Sequence, residues 1–174
     1  VYVDNLNSIN PLIIRARSND IKIDISIDSF DSFYWGPNRS KKDSGPFIQS
    51  VVNPGKIISD KDIQIVSDLG NILIRGSVVA SEGEVTLEAP NGEVDIISEV
   101  VTTQHEQRST KKGLLGSKTT VHKWEDVDIY KAQLLGNKGV NIIAKKLLAI
   151  GADILAPDGT VNIEVPGGDV IFKT

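Results

Sequence analysis

Clustered carboxylates are the side chains of this sequence that could carry out acid-base chemistry, as they do in enzymes that cleave polysaccharides. Asp60, Asp62 and Asp68 lie close together along the chain, and so do Asp153 and Asp158. The same spacing is typical of polar residues at turns between strands. We therefore predict no catalytic residue and no enzymatic activity, with a polysaccharide-acting enzyme as the competing class.

Two histidines are the remaining candidates for chemistry, because imidazole binds metal ions. His105 and His122 would lie opposite each other in a hairpin centred on Gly113–Leu114. Zinc requires three or four ligands, and the local candidates for the others are Glu106 and Glu125. The chain contains no cysteine that could supply a thiolate. We expect a cross-strand polar pair of histidines, no metal ion and no cofactor.

The composition restricts the class of protein further. The net charge of -4 argues against a general nucleic-acid binder. No apolar run reaches the roughly 18 residues of a membrane-spanning helix, and the glycines form no phosphate-binding loop. The chain starts at Val1, contains no methionine and shows no signal sequence. We therefore expect a piece of a longer protein.

A repeat of 21 or 22 residues must position any such side chains, since Val85 follows Ile63 by 22 residues and Val161 follows Val140 by 21. The first apolar pairs of the units are Leu12 and Ile14, Ile63 and Ile65, Val85 and Leu87, Val140 and Ile142, and Val161 and Ile163. The second pairs are Ile21 and Ile23, Ile72 and Ile74, Val94 and Ile96, Leu148 and Ile150, and Val170 and Phe172. A third apolar position recurs at Leu6, Ile57, Val79, Leu134 and Leu155.

Three short apolar arms per unit indicate three stacked sides. Glycine-containing turns such as Leu69–Asn71, Asn91–Gly92 and Gly167–Gly168 separate the first and second arms. Because a single short strand cannot bury its apolar face alone, equivalent arms must stack. The sequence therefore predicts an all-β, right-handed parallel β-helix with about five coils, forming one domain over residues 1–174. Ala144–Ile150 is predicted as a strand despite its good helix formers.

Two insertions of about 30 residues interrupt the repeat, because Leu12 precedes Ile63 by 51 residues and Val85 precedes Val140 by 55. They span about residues 26–56 and 99–132. Both fall between the second arm and the third, so we predict two hairpin-like excursions from one corner. Their exit points would be about 10 Å apart, which would let them touch.

The two excursions provide a possible contact surface. The first concentrates aromatic side chains, namely Phe30, Phe33, Tyr34, Trp35 and Phe47. The second carries basic side chains, namely Arg108, Lys111, Lys112, Lys118 and Lys123. Such a surface would suit a cell-surface receptor or an anionic glycan. Alternatively, the aromatic rings cover a flank of the fold and the lysines protect exposed strand edges.

The segment Ser109–Lys118, with the phrase Lys-Lys-Gly-Leu-Leu-Gly-Ser-Lys, resembles the repeat region of filamentous haemagglutinin-like exoproteins. The resemblance covers roughly Ile57–Thr174. It implies a large secreted or surface-exposed adhesin of a Gram-negative bacterium, exported through an outer-membrane two-partner transporter. Some relatives are contact-dependent growth-inhibition toxins.

These observations lead to one functional hypothesis and two alternatives. The chain is expected to be a structural stalk and contact surface of an adhesin or toxin-carrier exoprotein. A specific receptor-binding or toxin-translocation module is the first alternative, and the polysaccharide-acting enzyme is the second. The asparagine- and proline-rich secretion domain and the toxin-like end of the family are both missing from this sequence, so neither export nor killing is assigned to these residues.

Overall fold

The computed structural model describes residues 1–3, 5–34, 45–113 and 116–174, without the side chains of residues 29–50, 108, 111–113 and 117. The described residues form strands and, among them, no helix. The strands are β1 (Asn5–Ser8), β2 (Leu12–Ala16), β3 (Ile21–Ile23), β4 (Ser26–Tyr34), β5 (Gly45–Asn53), β6 (Lys56–Ser59), β7 (Ile63–Ser67), β8 (Ile72–Arg75) and β9 (Val78–Ser81). They continue with β10 (Glu84–Ile97), β11 (Glu99–Gly113), β12 (Gly116–Tyr130), β13 (Gln133–Gly136), β14 (Gly139–Ile150), β15 (Asp153–Leu155), β16 (Thr160–Glu164) and β17 (Val170–Lys173).

Parallel pairing organises the first of two compact units, which comprises Val1–Ser26, Pro54–Glu99 and Ile129–Thr174. One sheet has the order β1-β6-β9-β13-β15. A larger sheet has the order β16-β14-β10-β7-β2, with β3, β8 and β17 paired alongside. The strands of both sheets pair in parallel. The predicted all-β class and its parallel sheets are thus confirmed, including the strand at Ala144–Ile150 within β14.

Equivalent residues of the repeat stack in columns across these sheets. Leu87 pairs with Ile65 on one side and with Ile142 on the other, and all three are fully buried. In the next arm Ile96 pairs with Ile74, and both are again fully buried. Burial of each such side chain stabilises the fold by about 1.5–3 kcal/mol. The core of this unit therefore consists of stacked copies of the same repeat position.

The predicted register is wrong in the second arm of the fourth repeat. Leu147, not Leu148, pairs with Val94 and is fully buried. The reason is a shortened corner: three residues separate the paired Ala89 and Glu93 of β10, whereas one residue separates their partners in β14. The observed register thus differs from the predicted one by one residue. Since side chains alternate between faces, Leu148 and Ile150 face outward, and Leu147 and Ala149 lie inside.

Two further predictions about the repeat are wrong, one in the third arm and one at a corner. In the third arm Ile154 pairs with the buried Leu134, while Leu155 is exposed. The dipeptide Asn91–Gly92 lies inside the continuous strand β10, at an irregularity of its register, and forms no separate turn. Glycine is required there because a Cβ at Gly92 would collide with the carbonyl oxygen of Gly70.

Serine hydroxyls close the parallel ladder where the chain re-enters it after each segment of the second unit. Ser77 Oγ accepts a hydrogen bond from the backbone nitrogen of Gly55 at 3.1 Å. Ser98 Oγ accepts one from the backbone nitrogen of Ala132 at 3.0 Å and donates to the carbonyl oxygen of Gly151 at 2.8 Å. Buried backbone groups that lose a strand partner need such replacements. The interruptions therefore leave the ladder's hydrogen bonding intact at these points.

The second compact unit comprises Ile27–Asn53 and Val100–Asp128, which lie within the two segments expected to leave the repeat. Its sheet has the order β12-β11-β5-β4. The strands β11 and β5 pair antiparallel, with Glu106 opposite Ile48 and Gln107 opposite Phe47. Residues from both inserted segments therefore meet in one sheet.

A matched pair of substitutions tests the corrected register of β14. Leu147→Asn places an amide in the core, so we expect it to lower the free energy of unfolding by about 3–5 kcal/mol. Leu148→Asn on the opposite face should cost about 1 kcal/mol. Urea denaturation followed by circular dichroism measures both. Equal losses, or a larger loss at Leu148, would contradict this register.

Candidate contact surface

Three cross-strand contacts fix the register of β11 and β12 on one face of their sheet. Thr110 and Thr119 hydroxyls lie 3.1 Å apart. Lys123 Nζ lies 3.0 Å from Glu106 Oε2. Farther along, Gln104 Nε2 donates to Glu125 Oε1 at 2.9 Å. These pairs share a single antiparallel register, so β11 and β12 form the hairpin expected for the second excursion.

On the other face of this hairpin, Trp124 lies beside His105. Their ring centroids are 5.2 Å apart and the planes are inclined by 17°. The Nε2 atom of His105 also lies 3.1 Å from Asp126 Oδ2. The predicted pairing of His105 with His122 is therefore wrong, because the true register is displaced by two residues along β12. Among the described residues, no group of three or more potential ligands is placed to hold a metal ion.

The basic residues of the predicted contact surface lie along this hairpin. Lys118 is exposed on β12, and the Lys123 side chain is 72% exposed although it contacts Glu106. Arg108, Lys111 and Lys112 lie on β11, and their side chains are outside the described part of the structure. The acidic residues Glu125, Asp126 and Asp128 follow on β12. Positive and negative charge are therefore separated along the strand.

The aromatic residues of the predicted contact surface lie mostly on two strands of the same sheet. Phe30, Phe33 and Tyr34 belong to β4, and Phe47 belongs to β5, opposite Gln107. The side chains of these four residues, and the whole of Trp35, are outside the described residues. A shared aromatic and basic surface thus stays a prediction.

Sequence reasoning missed the apolar residues of β12. Val121, Trp124 and Val127 are all exposed on this strand, with Trp124 at 40%. The missed signal is the spacing of three residues on either side of Trp124, in a strand without glycine or proline between Ser117 and Ile129. Because side chains alternate between the faces of a strand, Val121 and Val127 lie on the face of Lys123, and Trp124 lies on the face of His105. These side chains therefore add apolar area to both faces of the hairpin.

The acidic clusters noted in the sequence have structural partners in the first unit. Asp62 Oδ1 accepts a hydrogen bond from the backbone nitrogen of Glu84 at 2.9 Å. Asp68 pairs with Arg15 at 2.9 Å. Asp153 pairs with Lys131 at 2.8 Å, and hydrogen bonds from Lys131 and then Gln133 lower its pKa. Each of these carboxylates therefore has a partner of its own in another segment of the first unit.

A shallow groove of about 230 Å³ lies on the outward face of β10, β14 and β16. Its polar side chains include Thr86, Asn141, Asn162 and Glu164. Asn162 Nδ2 donates to Asn141 Oδ1 at 3.0 Å, forming an amide ladder. Glycoside hydrolysis by the usual mechanisms needs two carboxyl groups, and the described residues that line this groove include one, that of Glu164.

Comparison of the chain with family models, with curated proteins and with solved structures gives no match. None of the described residues belongs to a helix that is long and apolar enough to cross a membrane.

Asp95 is a carboxylate with unfavourable surroundings in the first unit. On the outward face of β10 it pairs with Leu73 on one side and Leu148 on the other. Its Oδ1 atom is buried and has no hydrogen-bond partner within the described structure. Burial, and secondarily repulsion from Glu93, raises the pKa of Asp95. The charged form is therefore disfavoured in the folded protein.

Asp95→Asn should raise the free energy of unfolding at neutral pH and change it less at low pH. A carboxyl group whose pKa is raised by folding binds its proton more tightly in the folded state. The contribution of Asp95 to wild-type stability therefore falls as pH rises from the ordinary carboxyl pKa of about 4 through the raised value. Urea denaturation between acidic and neutral pH measures the difference, with the exposed Asp158→Asn as the control. A difference between Asp95→Asn and wild type that is independent of pH would contradict this assignment.

Proposed function

We propose that the first unit is a right-handed parallel β-helix of about five coils, with excursions at residues 26–56 and 99–132 from one corner. The observation that carries this proposal is the stacking of repeat-equivalent residues such as Ile65, Leu87 and Ile142 in continuous buried columns. Right-handed crossovers between parallel strands are the strongly preferred form, which supports the handedness.

On this basis the chain serves as a structural stalk and contact surface of a large secreted or cell-surface exoprotein of a Gram-negative bacterium. The resemblance of Ser109–Lys118 to filamentous haemagglutinin-like repeats supports an adhesin or toxin carrier exported by an outer-membrane two-partner transporter. A ladder whose core lies in repeated columns suits a stalk, because its stability comes from contacts between neighbouring repeats.

A segment exchange tests the stalk role. In the parent exoprotein, these 174 residues are replaced by an equal number of coils from an unrelated β-helix. We expect the part of the exoprotein that follows the exchanged segment to remain displayed at the cell surface, because a stalk contributes length and does not depend on a particular sequence. The accessibility of that part to added protease measures its display. Loss of display despite normal export of the rest of the protein would overturn the stalk role.

A specific receptor-binding or toxin-translocation module is the second candidate. It is favoured by the pairing of β11 with β5, since a sheet built from two separate insertions presents a surface that the repeat alone lacks. Deleting Ser109–Lys118 and then measuring how well the exoprotein adheres to bacterial or host cells distinguishes this candidate from a passive stalk. Unchanged adhesion would exclude a binding role for that part of the hairpin.

The basic residues give a prediction for the contact surface. Replacing Arg108, Lys111, Lys112 and Lys118 together by glutamine should weaken binding to heparin, used as an anionic glycan, by at least about tenfold, because each residue loses an attraction to the polyanion. Heparin-column elution and titration measure the change. A matched variant replaces four exposed lysines of the first unit, namely Lys56, Lys61, Lys138 and Lys145. Equal weakening in both variants would show that only net charge matters.

A further inference from the structure

The strand β12 forms an edge of the four-stranded sheet and is long for an edge. Its 15 residues have β11 as their neighbour on one side, and within the described structure no strand lies on the other. All side chains from Lys118 to Asp128 are exposed. An open edge of this length offers unpaired backbone groups to another strand. No proline or glycine interrupts it between Ser117 and Ile129.

The sequence of this edge is complementary to itself about Trp124. Residues at equal distances on either side are Lys123 and Glu125, then His122 and Asp126, then Val121 and Val127. In an antiparallel pair of identical strands, residues equally distant from the centre lie opposite each other. Opposite charges and matching apolar side chains would thus meet twice in each pair of chains.

We propose that β12 pairs antiparallel with β12 of a second copy, about a two-fold axis at Trp124. Such a contact is isologous, so each favourable pair occurs twice. It extends the four-stranded sheet of each copy across the axis into one continuous sheet. The proposal concerns self-association of this chain and does not rest on the stalk function.

Charge selects this register over its nearest alternatives. A shift that places Lys123 on the axis brings the two Lys123 side chains together, and a shift to Glu125 brings two carboxylates together. In the proposed register, Lys123 faces Glu125 of the second copy. Lys123 already contacts Glu106, and Glu125 accepts from Gln104, so each pair would extend an existing cross-strand row. Cross-strand pairs of opposite charge stabilise sheets, and like charges destabilise them.

Charge reversal provides the first test. Sedimentation equilibrium of the 174-residue chain should show a dimer. Its dissociation constant should rise by about tenfold or more in Lys123→Glu and in Glu125→Lys, because each charge reversal makes two like-charge contacts. An equimolar mixture of the two variants should regain the affinity, since one chain then presents two carboxylates to two ammonium groups of the other. The exposed Lys138→Glu is the control, and circular dichroism establishes that every variant is folded.

Cysteine cross-linking tests the register independently, because the chain has no cysteine of its own. Val121→Cys mixed with Val127→Cys should form a disulfide-linked dimer, since directly opposite Cα atoms lie about 4.5–5.5 Å apart. Val121→Cys alone should not, because its equivalents would lie about 20 Å apart. A wild-type chain that is monomeric at millimolar concentration overturns the proposal. So does a dimer that ignores both charge reversals or fails to cross-link in the mixture.

Discussion

The stacking of identical repeat positions on parallel backbone hydrogen bonds is the constraint on which the first unit depends. A side chain in the middle of a column is covered by an equivalent residue on each side of it. Val140 has Val85 and Val161 as neighbours and is fully buried, whereas Val161 has Val140 on one side and is 40% exposed. Local propensity decides little under this constraint, so the helix-forming residues of Ala144–Ile150 form a strand.

The same constraint determines what may happen at the corners. A strand arm cannot shift by one residue without reversing its faces, but a corner can gain or lose residues if backbone groups still find partners. The serines at positions 77 and 98 supply such partners at Gly55 and Ala132. The arms are therefore uniform and the corners variable. Specific recognition of another molecule by this chain is therefore easier to assign to the inserted segments than to the buried columns.

The periodicity of the sequence predicts most of the ladder, because each column repeats one residue type at nearly constant spacing. The prediction from periodicity is wrong at Leu147, because the composition gives no sign that the corner before this residue is shortened. The predicted register of the hairpin is wrong for a related reason. The residue pattern predicts two strands, but it does not show which residue of β12 lies opposite His105. The unfavourable surroundings of Asp95 depend on Leu73 and Leu148, which are far away in sequence. Only pairing across strands reveals such an environment.

The two units treat their backbone edges differently, and this difference bears on function. In the ladder, strand edges are covered by the next repeat, so burial and hydrogen bonding increase together. In the second unit, β12 keeps an edge on which basic residues precede Trp124 and acidic residues follow it. Isolated lysines commonly protect such edges from indiscriminate pairing. Here, acidic residues follow the lysines along the same strand, so the charges oppose some registers and favour others. In the proposed pairing with a second copy, this arrangement would favour one register over its neighbours, which uniform protection by lysine does not.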